Sequence, residues 1–389
     1  MAPKIQHKET AMKSKFFIAG GLALCASSSF AQSSITLYGI LDTGVEYISH
    51  AGIGNNRLVR MPGITGELPS RWGIRGSEDL GGGMKAVFTL ENGFNVRDGS
   101  VNQGGRFFGR QAFVGLDTPY GVLTFGRQYT MSFWALIDSA VTAVNIYGVP
   151  SFDNYLANVR SDNTISYRAA FKGLMVGATY SLGGRDAAGT GNSPGSGTCA
   201  GTGGANVACR QWSGILKYDA PLFGGSVAYD EQRGGTGASA SFFNGSAPLP
   251  LSQSGDKDAR VYANGYIKVL DNAKLSFGWI GRRVDTVLAT LSNVHSNIFY
   301  VGAAYTFTPA FTLDGQFVRT VDSTQDTRGS MGVVRGTYSL SKRTAVYAQA
   351  AYLMNSANAR YTVSVGGPGA TPNAGVNQLA AMLGIRTLF

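Results

Sequence analysis

Lys274-Leu275-Ser276-Phe277-Gly278-Trp279-Ile280-Gly281-Arg282 carries the pattern that decides the fold. Leu275, Phe277 and Trp279 stand at alternate positions, with mostly small or polar residues between them. A period of two belongs to a β-strand whose two faces meet different surroundings. Phe311–Val318 repeats it, with Phe311, Leu313 and Phe317 against Thr312, Asp314 and Gln316. Met84–Glu91 sets Met84, Ala86, Phe88 and Leu90 against Lys85, Val87, Thr89 and Glu91. Short segments of this kind follow one another from Gln32 to Phe389, and no apolar run between them is long enough for a spanning helix. The apolar face then meets either the core of a soluble sandwich or, in a membrane barrel, lipid, with the other face on a water-filled lumen.

The beginning of the chain favours export. Lys4, Lys8, Lys13 and Lys15 make a basic start, Phe16–Cys25 is apolar and small, and Ser29-Phe30-Ala31 offers a small-x-small cleavage site. Residues 1–31 are therefore expected to be a cleaved signal peptide, leaving a single domain, Gln32–Phe389. Removing four lysines and one glutamate lowers the net charge from +10 to +7. With no later apolar span, a membrane reading requires a closed barrel, because only helices and closed barrels satisfy every backbone group in lipid. The 54 glycines, 12 prolines and 11% aromatics fit many strands joined by tight turns.

Connections of two kinds alternate. Seven short ones fall at Glu78–Gly83, Thr118–Gly121, Ala169–Gly173, Ala220–Gly224, Leu270–Ala273, Thr308–Ala310 and Leu340–Arg343. Eight longer polar stretches lie near residues 49–69, 95–105, 130–161, 183–210, 232–257, 283–294, 320–328 and 355–375. They join sixteen antiparallel strands, and alternating short and long ends are the signature of an outer-membrane barrel. An even count closes the sheet without an exposed edge. Expected outward residues include Trp72, Ile74, Ile165, Tyr167, Trp212, Leu216, Tyr218, Val227, Tyr229, Phe299, Val301, Tyr305 and Phe307. In a sixteen-stranded soluble sandwich, the alternation of loop lengths would be coincidence.

Several segments then resemble one family. They are Gln32–Gly39, Ser70-Arg71-Trp72-Gly73-Ile74-Arg75-Gly76-Ser77-Glu78-Asp79-Leu80-Gly81-Gly82-Gly83, Phe125–Gln128, Leu340–Thr344 and the terminal Gly384–Phe389. Together they resemble the general trimeric porins of Gram-negative beta-proteobacteria. The resemblance implies a sixteen-stranded barrel, a homotrimer, a third long loop folded into the pore, and a final aromatic, Phe389, read by the barrel-assembly machinery. That third loop is Thr130–Ser161. Its Phe133, Trp134, Leu136, Ile137, Phe152 and Tyr155 are more apolar than a solvated loop needs, and Ser132–Val144 suits a short helix.

The resemblance also places a basic cluster, Arg71, Arg110 and Arg160, on the wall facing that loop, with Arg127 and Arg168 nearby. By strand parity Arg71 and Arg75 both face the lumen. Carboxylates of the loop are few: Asp138 and Asp153, with Asp162 just beyond. A narrow lumen with low-dielectric walls would focus such a field and enrich anions. The expected function is thus a water-filled channel for small hydrophilic solutes and inorganic ions, anion-preferring. Basic residues on the outer rim are an alternative use of the charge, against lipopolysaccharide phosphates.

An outer-membrane barrel enzyme is the main competing reading. It would need a general base, and the mature chain offers only His50 and His295, neither in a recognisable triad, HExxH motif or metal cluster. Gly234-Gly235-Thr236-Gly237 lacks the lysine of a phosphate loop. No cofactor, metal or nucleic-acid partner is expected. Cys25 leaves with the signal, so Cys199 and Cys209 remain as an even pair in an oxidising compartment and are expected to form a disulfide in the fourth long loop.

Overall fold

The computed structural model describes residues 34–63, 65–142, 145–153, 155–156, 159–183, 199 and 208–389. The expected signal, 1–31, and the mature start at Gln32 lie outside the described residues. The barrel strands are β1 (Ser34–Ala51), β2 (Arg71–Gly81), β3 (Met84–Gly93), β4 (Gln111–Thr118), β5 (Gly121–Tyr129), β6 (Arg160–Phe171), β7 (Leu174–Ser181) and β8 (Gln211–Asp219). The second half contributes β9 (Phe223–Arg233), β10 (Lys257–Leu270), β11 (Ala273–Asp285), β12 (Val294–Thr308), β13 (Phe311–Asp322), β14 (Thr327–Ser339), β15 (Thr344–Asn355) and β16 (Gln378–Leu388). Each pairs antiparallel with the next, and β1 pairs with β16 from Ile40↔Leu388 to Ile48↔Ala380. The sheet is a closed sixteen-stranded barrel, and the expected β-fold holds. One short strand, Asn56–Arg60 in the first outer loop, adds to the upper part of β1.

The last residue extends the closing seam. The Phe389 amide donates to the Gly39 carbonyl at 3.1 Å, and the Gly39 amide to the Phe389 carbonyl at 3.0 Å. A Cβ at Gly39 would run into the Phe389 ring, so glycine there is what lets the terminal aromatic lie across β1. The turn between β2 and β3 is tighter than expected, because β2 continues to Gly81. Gly81, Gly82 and Gly83 all have positive φ, at 79°, 62° and 79°, a conformation that side chains resist.

The alternation inverts an ordinary core. Leu275 and Phe277 are exposed on the barrel's outside while Ser276 between them is buried, and Leu313 and Phe317 flank buried Asp314 and Gln316 in the same way. Ile165, Tyr167, Trp212, Leu216, Val227, Phe299 and Val301 are likewise outward and exposed, as the period of two predicts. Outer connections follow the expected places with one exception. The seventh shrinks to Ser323–Asp326, because Asp322 accepts the Thr324 and Gln325 amides at 3.0 and 2.9 Å and folds the chain back at once.

The inward-facing side chains are not uniformly polar. Tyr262, Ile280, Tyr300, Val318, Met331 and Leu353 are buried, in one cluster with Met131, Leu136, Ile146, Tyr147 and Phe152 of the third loop. The loop supplies its own apolar seat inside the barrel. Its helix α1 (Met131–Leu136) is shorter than the expected Ser132–Val144, because beyond it the polar groups turn to the wall. The Ser139 hydroxyl meets the Tyr300 hydroxyl at 3.0 Å, the Thr142 amide donates to Gln316 at 3.1 Å, and Asn145 donates to Gln349 at 2.8 Å. Those partners sit on β12, β13 and β15 with inward parity, so the loop runs along the inner wall.

Cys199 and Cys209 are disulfide-bonded. The bond packs with Ala238, Ala240, Phe242, Leu251, Val284 and Val294, tying the fourth loop to the fifth and to the outer ends of β11 and β12.

Candidate pore constriction

The end of β3 brings a carboxylate to the start of β2 and to the residue before β4. Glu91 has the lumen parity of Lys85 and Thr89, and it gathers the arginines. The Arg110 Nε donates to Glu91 Oε1 at 2.8 Å, Arg71 Nε lies 3.6 Å from Oε2, and the Tyr38 hydroxyl donates to Oε2 at 3.0 Å. Arg160, the first residue of β6, joins through Tyr129, whose hydroxyl accepts from Arg110 at 2.7 Å and from Arg160 at 3.0 Å. The Arg160 guanidinium lies over the Tyr129 ring, 4.6 Å from its centroid, and Phe133 of the loop stacks on the same ring at 3.9 Å. Arg71, Arg110 and Arg160 thus do come together, around one carboxylate and one phenol. Arg110 and Arg160 are only 4% and 3% exposed, so their charge reaches the lumen as a field rather than by contact.

Arg127 forms a separate pair. It donates to the Gly109 carbonyl and to Asp162 Oδ1, both at 2.6 Å, and Arg106 reaches the other Asp162 oxygen at 3.3 Å. Towards the short-turn end, Arg75 and Arg168 line a cavity of about 390 Å³ on the inner wall, together with Lys85, Asp117, Gln111 and Trp134. Arg168 stacks on Trp134 at 4.0 Å and Arg75 lies 5.3 Å from the Tyr38 ring centroid.

The two loop carboxylates lie elsewhere. Asp153 is 1% exposed and faces the opposite wall, bonded to Arg260 Nε and Nη2 at 2.7 and 2.9 Å, with Arg282 at 3.8 Å. It is a loop anchor rather than a pore-surface residue, which corrects its expected place. Burial alone would raise its pKa, but Arg260 and Arg282 hold it below the usual carboxylate range. Asp258 completes that network with Arg260 at 3.1 Å and Arg282 at 2.7 Å. Asp138, half exposed, pairs with Lys217 of β8, and Lys274 donates to its backbone carbonyl. Arg335 and Arg386 converge on Glu67, at 3.5 and 2.8 Å, with Asp314 at 2.9 Å from Arg335.

Sequence reasoning missed Glu91, Tyr129 and Tyr38. Glu91 was legible as the last polar member of the Met84–Glu91 alternation. Tyr129 was not, since a bulge between Gly126 and Gln128 resets the register of β5 against β6.

Over residues 19–358 the chain matches the family described as Gram-negative porin. It belongs to that family. An outer membrane porin protein of Bordetella pertussis is 29% identical over 382 residues, covering 89% of this chain and 95% of that one. Outer membrane porin protein 32 of Delftia acidovorans is 27% identical over 385 residues, covering 96% and 99%. In fold, the chain is similar to the anion-selective porin from Comamonas acidovorans, with a TM-score of 0.74 at 24% identity over 92% of this chain and all of that one. It is also similar to OmpT of Vibrio cholerae in its trimer form, with a TM-score of 0.60 at 14% identity over 92% and 99%. The porin is an outer-membrane channel and not an enzyme.

Proposed function

We propose that this porin passes small hydrophilic solutes and inorganic ions and favours anions. The observation that carries the reading is the clustering of guanidiniums around Glu91: Arg71 and Arg110 pair with it, and Arg160 joins through the Tyr129 hydroxyl. Asp138, Asp153 and Asp162, the other candidates to neutralise them, are engaged by Lys217, Arg260 and Arg127. A clustered positive field in a narrow, low-dielectric passage enriches anions and raises the barrier to cations. Arg75, Lys85 and Arg168 extend it towards the short-turn end. The solved porin from Comamonas acidovorans, called anion-selective, supports the reading by fold alone.

Assembly follows the same reading. Homotrimers, as in the solved trimer form of Vibrio cholerae OmpT, a signal removed after Ala31, and recognition of Phe389 by the assembly machinery belong to it. Lipid, including lipopolysaccharide, surrounds the barrel.

Reversal potential in a planar bilayer under a KCl gradient tests the selectivity. The native channel is expected to be anion-selective, and Arg71→Ser/Arg110→Ser/Arg160→Ser to lower its anion-to-cation ratio by about tenfold. Each charge contributes about 0.5 kcal/mol at ~8 Å in water, and that separation is within the Debye length of ~8 Å at physiological salt. A cation-selective native channel would sink the proposal. An unchanged ratio in the variant would move the filter to Arg75, Lys85 and Arg168.

A further inference from the structure

Val87 departs from the polar pattern of the inward members of β3. It stands between Lys85 and Thr89 on the lumen face, where a water-filled barrel calls for polar side chains. Phe113 of β4 and Val122 of β5 do the same, and all three, partly buried, line the cavity on the short-turn side of the arginine cluster. In register they are close neighbours. Val87 faces Gly115, Phe113 lies two residues from Gly115 on the same strand, and Val122 faces Asp117, two residues the other way. Gly115 has no side chain, so the three apolar groups edge a hollow rather than fill one. None of the three packs with the buried cluster that seats the third loop, so that seat does not account for them.

Cations rim the same hollow. Arg75, Lys85 and Arg168 line it, and none of them makes an ion pair among the described residues. Arg168 faces Val122 in register, and its guanidinium lies 4.0 Å from the centroid of the Trp134 ring, which holds it at the edge of the apolar floor. Lys85 is two residues from Val87 and faces Asp117, which offsets one charge of the three. The cavity, about 390 Å³, falls in the range of small-molecule sites, roughly 300–1,000 Å³. A bare inorganic ion gains nothing from Val87, Phe113 and Val122, which offer it no hydrogen bond. A dicarboxylate would put its charges on the cationic edges and leave the apolar floor wet. A flat apolar group ending in one carboxylate uses both parts of the site.

We propose that this hollow is a retention site for a small aromatic carboxylate of the benzoate class. The ring lies on Val87, Phe113 and Val122, over the gap at Gly115, and the carboxylate accepts from Arg168. Guanidinium presents a planar fork of donors that matches a carboxylate. Arg75 and Lys85 supply the field that draws the anion in. The site rests on the reading of the channel as anion-preferring and adds a class of solute to it. The arginines around Glu91 favour any anion, whereas this floor distinguishes an anion with a ring from one without.

The test reads chloride current through the purified protein in a planar bilayer while sodium benzoate, acetate or succinate is added. Benzoate is expected to half-block at a concentration about tenfold lower than acetate or succinate, the margin that burying part of a ring supplies. Val87→Thr/Val122→Thr, which swaps a methyl for a hydroxyl at constant shape and suits a strand, should cut that margin to about threefold. Arg168→Gln should raise the half-blocking concentration of benzoate by about tenfold. Lys342→Gln/Arg343→Gln, which removes charge from the short turn between β14 and β15, should change neither. Equal block by benzoate and acetate in the native channel overturns the proposal. Tighter block by succinate does so as well, by making charge alone the selector. An undiminished margin in Val87→Thr/Val122→Thr places the ring elsewhere and overturns it too. A native channel that is cation-selective under a KCl gradient overturns the filter and this site together; an anion-selective one without the margin overturns this site alone.

Discussion

On the wall that receives the third loop, Arg260 and Arg282 share Asp153 and Asp258, and Arg335 and Arg386 share Glu67, with Asp314 also on Arg335. On the wall the loop leaves open, Arg71 and Arg110 meet at Glu91, and Arg160 joins them through Tyr129. Arginine is abundant on both walls, but the carboxylates that meet it among the described residues are arranged differently. On the loop-bearing wall the guanidiniums act as fasteners. Asp153 enters from the loop, and a buried arginine pair with two-point geometry holds it there. On the open wall the arginines are oriented by a tyrosine hydroxyl, a ring face and the Glu91 carboxylate. Where carboxylates sit, rather than how many arginines there are, separates the fastening arginines from those of the proposed filter.

The sharpest way to break this comparison is to unfasten the loop. Asp153→Asn leaves Arg260 and Arg282 buried with one carboxylate fewer, and breaking such a pair costs about 3–5 kcal/mol. The expected outcome is a larger, noisier single-channel conductance as the loop leaves its seat. Unchanged conductance would show that the apolar seat holds the loop by itself. Acid should do the same reversibly. Because the folded pKa of Asp153 is depressed, its contribution is complete above the unfolded value of ~3.9 and is lost as pH falls through the lower folded value. Conductance noise should therefore rise below about pH 4 and vanish on return to neutral. Noise already present at pH 6 would assign it to another group.

A smaller effect is expected on the open wall. Glu91→Gln removes the one carboxylate of the cluster and should strengthen anion preference by roughly twofold, from ~0.5 kcal/mol for one charge at ~8 Å. A shift towards cations would mean that Glu91 matters by placing the arginines rather than by its charge. The smallest effect belongs to the outer loops. Cys199→Ser/Cys209→Ser should weaken the outer-loop cluster by ~2–3 kcal/mol in chain entropy, read as faster proteolysis of the fourth loop. Conductance should stay the same, since the disulfide packs with outer-loop residues and with Val284 and Val294 at strand ends.

Much of this was legible in the residues. The period of two in Lys274–Arg282 fixed which side of β11 meets lipid, because a pleated strand has no other way to sort its side chains. The turns at Thr118–Gly121 and Leu270–Ala273 were marked by residues suited to tight hairpins. The apolar side chains of Thr130–Ser161 announced a loop that packs, and Leu136, Phe152 and Tyr155 are indeed buried, while Ile137 remains exposed at 36%. Asp322 hid the shortness of the seventh outer connection, since a polar residue that caps a tight turn reads like any other loop residue.

The sequence by itself determined the strand rhythm, the inside-out distribution of apolar residues, the pairing of Cys199 with Cys209 and the family. These depend on local periodicity and composition, which each segment carries alone. Only the tertiary structure decided which arginines are neutralised. Asp153 is 107 positions from Arg260, and Arg335 meets a Glu67 from the other half of the chain. Charge pairing acts over a few ångströms in space and is blind to separation along the chain. A closed barrel with a loop folded inside brings together groups whose sequence spacing holds no trace of their contact.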